Sequence, residues 1–183
     1  METVKRCDVC GTPIRLLRTD ARFCSTKCRV NWNRNRNMPL PLRRRAQWVR
    51  YDARKCPLDA RTGRPAKVND PATWTDWPTA RDSTHGIGAG FVLTDGSFVV
   101  WDLDHALDAH GQPEPWAATL LDAHAPGALL VERSISGRGL HIITAGTGEH
   151  LACHPDPENR HVERWTHDRY IAMTGDIYRG ETS

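Results

Sequence analysis

The clearest patterned stretch in the chain is Phe98-Val99-Val100-Trp101, an apolar run that passes directly into Asp102-Leu103-Asp104-His105. Thr94-Asp95-Gly96-Ser97 supplies a turn before it, so the run predicts a buried strand. Alternate residues of a strand share a face, which would set Asp102 and Asp104 side by side with Cβ atoms roughly 7 Å apart. Two carboxylates presented together at a strand end suit divalent cations, whose shared oxygen ligands must come from close neighbours. The plain alternative is an Asp-x-Asp that only ends a strand in a solvated turn.

The rest of the pattern alternates short helical and extended stretches. Leu42, Ala46 and Val49 share one face at helical spacing, predicting a helix over 42–49. Gly63 and Pro65 mark a loop, and Asp70 to Thr75 turn into a second short helix with Thr75 as N-cap and Pro78 in its first turn. Gly86-Ile87-Gly88 precedes a strand rather than a helix, which argues against a dinucleotide loop. Trp116 to His124 reads as a helix with Trp116, Leu120 and Leu121 inward. Ala128–Arg133 and Leu140–Ile143 read as strands, separated by the turn Ser134-Ile135-Ser136-Gly137-Arg138-Gly139. A closing pair of strands covers 161–165 and 169–175. The alternation predicts an α/β or α+β class with one mixed sheet.

The N-terminal third differs in chemistry. Residues 1–50 hold 13 Lys/Arg against 3 Asp/Glu, whereas residues 51–183 hold 12 against 19, an asymmetry hidden in the overall charge of +3. A basic arm and an acidic body suggest contact with phosphate backbones by the one and cation binding by the other; a merely solvated basic face is the alternative. Cys7 and Cys10 form one close pair and Cys24 and Cys28 another, which in a chain lacking a secretion signal reads as a tetrahedral zinc site. Gly11-Thr12-Pro13 gives a tight turn after the first pair, and the second opens a helix from Ser25 to about Arg36, capped by Ser25 or Thr26. Turn, hairpin and helix around one metal resemble a treble-clef finger. Trp32 and the arginines of that helix suit base stacking and phosphate contact, though a purely structural finger accounts for them as well. Asn37 to Pro41 breaks the helix and places a boundary between a zinc module, 1–38, and a body, 39–183. Cys56 and Cys153 read as ordinary thiols. No apolar run approaches the ~20 residues of a membrane span, so the expectation is a soluble, cytoplasmic protein without membrane contact.

Within the body, Gly137 and Gly139 would let backbone N–H groups approach a phosphate and Arg138 could grip one bidentately. His141, beside that turn, is either a ligand contact or a satisfied structural residue. Glu163, flanked by Val162 and Trp165, is a half-buried carboxylate in need of a partner or a surface group paired with Arg164.

Taken in order, Asp102-Leu103-Asp104, then Ser136-Gly137-Arg138-Gly139-Leu140-His141, then Glu163 resemble the three motifs of the archaeo-eukaryotic primase superfamily. The likeness is narrower to its phage and plasmid branch of bifunctional primase-polymerases. Lys55-Cys56-Pro57, Asp70 to Trp74, Gly86 to Gly88 and Arg169 to Gly175 extend it over about residues 42–179. The resemblance implies a catalytic sheet of RNA-recognition-motif type and metal-dependent nucleotidyl transfer onto a template-paired 3′ end, in a bacterial cell or phage-infected host. It implies Asp102, Asp104 and Glu163 as ligands of catalytic magnesium or manganese. Ser136, Arg138 and His141 would bind the phosphates of an incoming nucleoside triphosphate, with Lys55 as a further phosphate contact. The implied partners are a single-stranded or primed DNA template, nucleoside triphosphates and a separately encoded replicative helicase. Trp101 departs from the small aliphatic residue expected before the first Asp. The body also ends soon after the last motif, where relatives carry further domains, so elongation is expected and initiation is left open. Two other readings stay beside this one: a DNA-binding finger on a degenerate scaffold, and a metal-dependent nuclease.

Overall fold

The computed structural model describes residues 5, 7, 12–14, 21–26, 28–29, 38–148 and 161–180. The chain divides into two units, Met1–Met38 and Pro39–Ser183. In the second, the described residues form α1 (Leu40–Arg43), β1 (Trp48–Tyr51), β2 (Pro57–Leu58), α2 (Trp77–Asp82), β3 (Gly88–Leu93), β4 (Phe98–Leu103), α3 (Pro115–His124), β5 (Ala128–Arg133), β6 (Leu140–Ala145), β7 (Val162–Trp165) and β8 (Arg169–Met173). The class is α+β.

The expected single mixed sheet is instead two four-stranded sheets, ordered β2-β1-β3-β8 and β5-β6-β4-β7. Every strand pairing in them is antiparallel. The chain crosses from one sheet to the other between β3 and β4, a short turn that could equally have closed a hairpin. The last two strands likewise part company, β7 pairing with β4 and β8 with β3. In the second sheet α3 connects β4 to β5, and β6 returns between those two strands, the split arrangement of a β-α-β-β unit.

The helix expected over 42–49 is one turn, Leu40–Arg43, followed by strand β1. Pro41 sits in that first turn, where its missing N–H has no intrahelical acceptor to lose. Trp48 and Val49 leave the helical pattern because β3 offers them backbone partners, Trp48 opposite Phe91 and Val49 opposite Gly90. Fully buried, Trp48 lies with its ring centroid 4.4 Å from that of Trp77 and 5.0 Å from that of Phe91. Its indole Nε1–H donates to Leu42 O at 3.1 Å. The cap of α2 is Asp76 rather than Thr75, its carboxylate accepting from Thr79 N at 2.9 Å. Thr75 is drawn instead into two backbone hydrogen bonds with Trp48, at 2.8 and 2.9 Å.

Alternation along β4 sorts its side chains. Trp101 and Leu103 face α3, where Leu103, Leu140, Ile142, Val162, Leu107 and Ala117 form a buried cluster. Trp116, Leu120 and Leu121 of α3 pack against that cluster as expected. Trp101 is accommodated here by stacking on His124, centroids 4.4 Å apart, with the Arg164 guanidinium 5.1 Å from its ring centre. The opposite face of β4 carries Phe98, Val100 and Asp102.

Candidate active site

The chemistry lies in one transverse row. Asp102 stands directly opposite His141 of β6 on one side and Glu163 of β7 on the other. His141 in turn stands opposite Glu132 of β5. Cross-strand partners share a face with Cβ atoms about 4.5–5.5 Å apart, so Glu132, His141, Asp102 and Glu163 form a line across all four strands. Asp104 does not belong to the strand: β4 ends at Leu103, and Asp104 follows in a turn, its N–H donating to His161 O at 2.8 Å. The predicted side-by-side placement on one strand face is thus replaced by a strand-end and turn pair. Both aspartates nevertheless line the same cleft.

That cleft has a volume of about 510 Å³ and lies between the two sheets. One wall carries Asp102, Asp104, Ser134, Ser136 and His141; the other carries Lys55, Pro57, Val68 and β8 residues from Arg169 to Ala172. Glu163 and Arg138 are not among its lining residues. Glu163 sits at the side, its carboxylate accepting from Trp165 Nε1 at 2.9 Å and lying 3.6 Å from the Arg169 guanidinium. Its cationic neighbour is therefore Arg169 and not Arg164, which is stacked on the far face of the sheet.

Electrostatics bind the row together. Burial pushes the Asp102 carboxyl above the ordinary carboxylate range, the charges of Asp104 and Glu163 push it further, and His141 and Arg169 pull the other way. His141 is buried, and burial alone would lower its pKa. The hydrogen bond to Glu132 and the charges of Glu132 and Asp102 outweigh that, and the imidazole is held above its usual value. Nδ1 lies 3.0 Å from Glu132 Oε1, and Nε2 lies 3.6 Å from Asp102 Oδ1. Glu132, fully buried, also accepts from Thr174 N at 3.1 Å and Gly175 N at 2.7 Å. A carboxylate ringed by N–H donors serves as an acceptor, which assigns the proton to Nδ1 and leaves Nε2 towards Asp102.

The loop 134–139 behaves differently from expectation. Gly137 N–H donates to Ser134 O at 3.0 Å and Arg138 N–H to Ser136 Oγ at 3.3 Å, so these two amides serve the turn rather than an anion. The groups it offers the cleft are Ser134 and Ser136, with Ile135 between them. Arg138 is exposed, its carbonyl tied to Leu107 N at 2.8 Å. Lys55 does reach the cleft from a left-handed backbone position (φ 61°), and the Tyr170 hydroxyl donates to its carbonyl. Burial pushes the Tyr170 phenol up to about 12, which keeps that hydroxyl a donor.

Sequence reasoning passed over Glu132, Arg169 and Tyr170 as site residues. Glu132 carried a signal of the same kind as Glu163, a carboxylate closing an apolar run. Arg169 and Tyr170 come to the cleft only because β8 joins the other sheet, a pairing with no local trace.

In the N-terminal unit the Sγ atoms of Cys7, Cys24 and Cys28 all lie within 4.8 Å of one another and could bind a metal ion. Cys24 and Cys28 sulfurs are 3.5 Å apart. Tetrahedral zinc with bonds near 2.3 Å separates its sulfurs by about 3.8 Å, so the thiol set fits such a centre. Ser25 Oγ accepts from Cys28 N at 3.2 Å, the cap expected for the helix beginning there. Cys10, Trp32 with the arginines at 34 and 36, and Cys153 lie outside the described residues. Among the described residues this is the one group of three potential ligands so tightly gathered; Asp102, Asp104 and Glu163 are not drawn to a common point. No helix among the described residues is long and apolar enough to cross a membrane.

Compared with known proteins, the chain matches no family model and no curated protein.

Proposed function

We propose that the body, 39–183, is a template-directed nucleotidyltransferase of the primase-polymerase type, its second sheet serving as the RNA-recognition-motif-like catalytic sheet. The observation that carries the reading is the row itself. Asp102, His141 and Glu163 come from motifs far apart in sequence, yet they occupy adjacent positions on three neighbouring strands, with Asp104 in the turn that follows the middle one of the three. The strand order β5-β6-β4-β7, with α3 joining β4 to β5, supports the sheet type.

Asp102, Asp104 and Glu163 supply hard oxygen donors and would hold magnesium or manganese, whose charge would polarise the attacking 3′-oxygen and stabilise the leaving pyrophosphate. The like charges that raise the Asp102 pKa are those such cations would relieve. Ser136 and His141 on one wall, Lys55 and Arg169 on the other, are placed to take the triphosphate. Pro57, Val68 and Ile171 give the cleft an apolar surface for a base. Arg138, on the exposed loop, would contact phosphates only from outside the cleft.

Zinc held by Cys7, Cys10, Cys24 and Cys28 would organise the N-terminal unit. The surplus of 10 cationic charges in residues 1–50 suits a single-stranded or primed DNA template. A separately encoded helicase and a cytoplasmic setting complete the proposal.

The test is incorporation of a labelled deoxy- or ribonucleoside triphosphate on a primed template, with magnesium or manganese. Metal-dependent extension that disappears in Asp104→Asn supports the reading. Shortening of the labelled strand would make the protein a nuclease, and template binding without either reaction would make it a DNA-binding module.

A further inference from the structure

We propose that Tyr170 is a positioning residue for the incoming triphosphate: its hydroxyl holds the tip of the β1–β2 hairpin so that Lys55 stands in the cleft. The inference rests on the nucleotidyltransferase reading for what the ammonium meets, and on the contacts of the tip alone for how it is held. Residues 52–56 form a small closed turn. Lys55 N–H donates to Asp52 O at 3.0 Å and Asp52 N–H to Cys56 O at 3.0 Å. Asp52 Oδ1 accepts from Arg54 N at 2.9 Å and from Cys56 N at 2.8 Å. These bonds stiffen the turn without fastening it to anything else. β2 beyond it is only two residues long, so the sheet gives the tip little support. Among the described residues, one hydrogen bond ties the tip to the rest of the body, the Tyr170 hydroxyl donating to the Lys55 carbonyl.

Both partners are unusual occupants of their places. A turn of this kind takes its last residue left-handed, and glycine is the ordinary choice there. Here the residue is Lys55 at φ 61°, a lysine whose side chain lines the cleft. Tyr170 stands opposite Val92 on β3. Its ring lies against the nearby Gly90, where a Cβ would come within 2.7 Å of ring carbon Cδ2. The missing side chain gives the ring its seat, and from that seat the hydroxyl reaches the hairpin. A lysine ammonium is a strongly hydrated point charge on a flexible four-carbon stem. Such a stem grips a phosphate well only when its root is fixed, because every bond left free to turn is entropy lost on binding. Tyr170 fixes the root from the same wall of the cleft and needs no contact with the phosphate.

The experiment reads the tip first, in the full-length protein without nucleotide. Backbone ¹⁵N order parameters of Arg54, Lys55 and Cys56 should be about 0.85, as in rigid backbone, and should fall below about 0.6 in Tyr170→Phe. That substitution removes one oxygen and leaves the ring against Gly90, so the values in β3 and β8 should not move. A mobile tip in the wild-type protein overturns the inference, and that measurement needs no variant to fold. Affinity is read next, with a fluorescent nucleoside triphosphate and magnesium. Lys55→Met should weaken it roughly tenfold or more, the loss of a charge-assisted contact, and Tyr170→Phe roughly threefold to tenfold. In a Lys55→Met background, Tyr170→Phe should weaken it no further. A merely structural tyrosine would cost the same with and without the ammonium, and that result overturns the inference. So does a weakened Tyr170→Phe variant whose tip stays ordered, since the hydroxyl would then serve the nucleotide directly. If the wild-type protein binds no triphosphate, the functional reading fails and the ammonium loses its ligand, whereas the hold of Tyr170 on the hairpin is still decided by the order parameters.

Discussion

Replacing Gly139 with alanine tests how closely the loop must lie against the aspartates. A Cβ at Gly139 would stand 2.8 Å from the Leu103 carbonyl oxygen and 2.7 Å from Ser134 Oγ. The serine can rotate away, but the carbonyl belongs to the residue between Asp102 and Asp104. Ordinary contact begins near 3.4 Å, so loop and strand end must separate by about 0.6 Å. Overpacking of this size costs about 1–3 kcal/mol. Gly137 is the control. Its left-handed backbone (φ 74°) penalises alanine, yet nothing lies within 4 Å of the added carbon. That substitution costs about 1–2 kcal/mol in backbone strain and moves no neighbour. Urea unfolding followed by tryptophan fluorescence should therefore show similar losses for both variants. Incorporation should separate them, because displacement of reacting groups by a fraction of an ångström can cost an order of magnitude or more. Gly139→Ala is expected to lose about tenfold and Gly137→Ala little. Equal activity in the two variants would refute the claim that the loop's seat against Leu103 positions the site.

Asp102→Asn should abolish incorporation and leave stability unchanged or raised, since it removes a carboxylate strained by burial and by Asp104 and Glu163; a urea midpoint below wild type would contradict this. Purified protein should carry one zinc per chain by elemental analysis, and Cys24→Ser should lose it; full metal content in that variant would remove Cys24 from the ligand set. Asp59 is held below the ordinary carboxylate range by the hydrogen bonds of Arg61. Its contribution to stability is thus complete above about pH 4 and fades as the pH falls through the lowered value. Arg61→Met should flatten that acid loss in denaturation measured from pH 5 to pH 2, and an unchanged profile would show that the pair contributes nothing.

What could be read from the chain was whatever is local. An apolar run entering two carboxylates announced β4, paired cysteines announced the thiol cluster, and glycines announced the turn before His141. Each depends on residues within a few positions of one another. What could not be read depended on partners distant in sequence. Trp48 and Val49 satisfied a helical pattern as well as a strand, and only the backbone of β3 decided between them. The sheet change after Leu93 leaves no mark, because the turn 94–97 has the composition of an ordinary hairpin. Glu132 stayed hidden for the same reason: its donors, Thr174 and Gly175, lie more than forty residues further on.

The transverse row bears on how such a protein can change over generations. Its members touch through register alone, one from each strand, and the face behind them is filled by Leu103, Ile142 and Val162. Loss or gain of a single residue inside β4 would swing Leu103 or Trp101 into the row and bury Asp102 against α3. Variation in length is thereby barred from the four strands and diverted into the connections between them. Relatives of this chain should therefore differ freely in the spacing from Asp104 to Glu132 and from His141 to Glu163. Within each strand, the distance from site residue to core residue should stay fixed. Lineages would lengthen at the loops and leave the row unmoved.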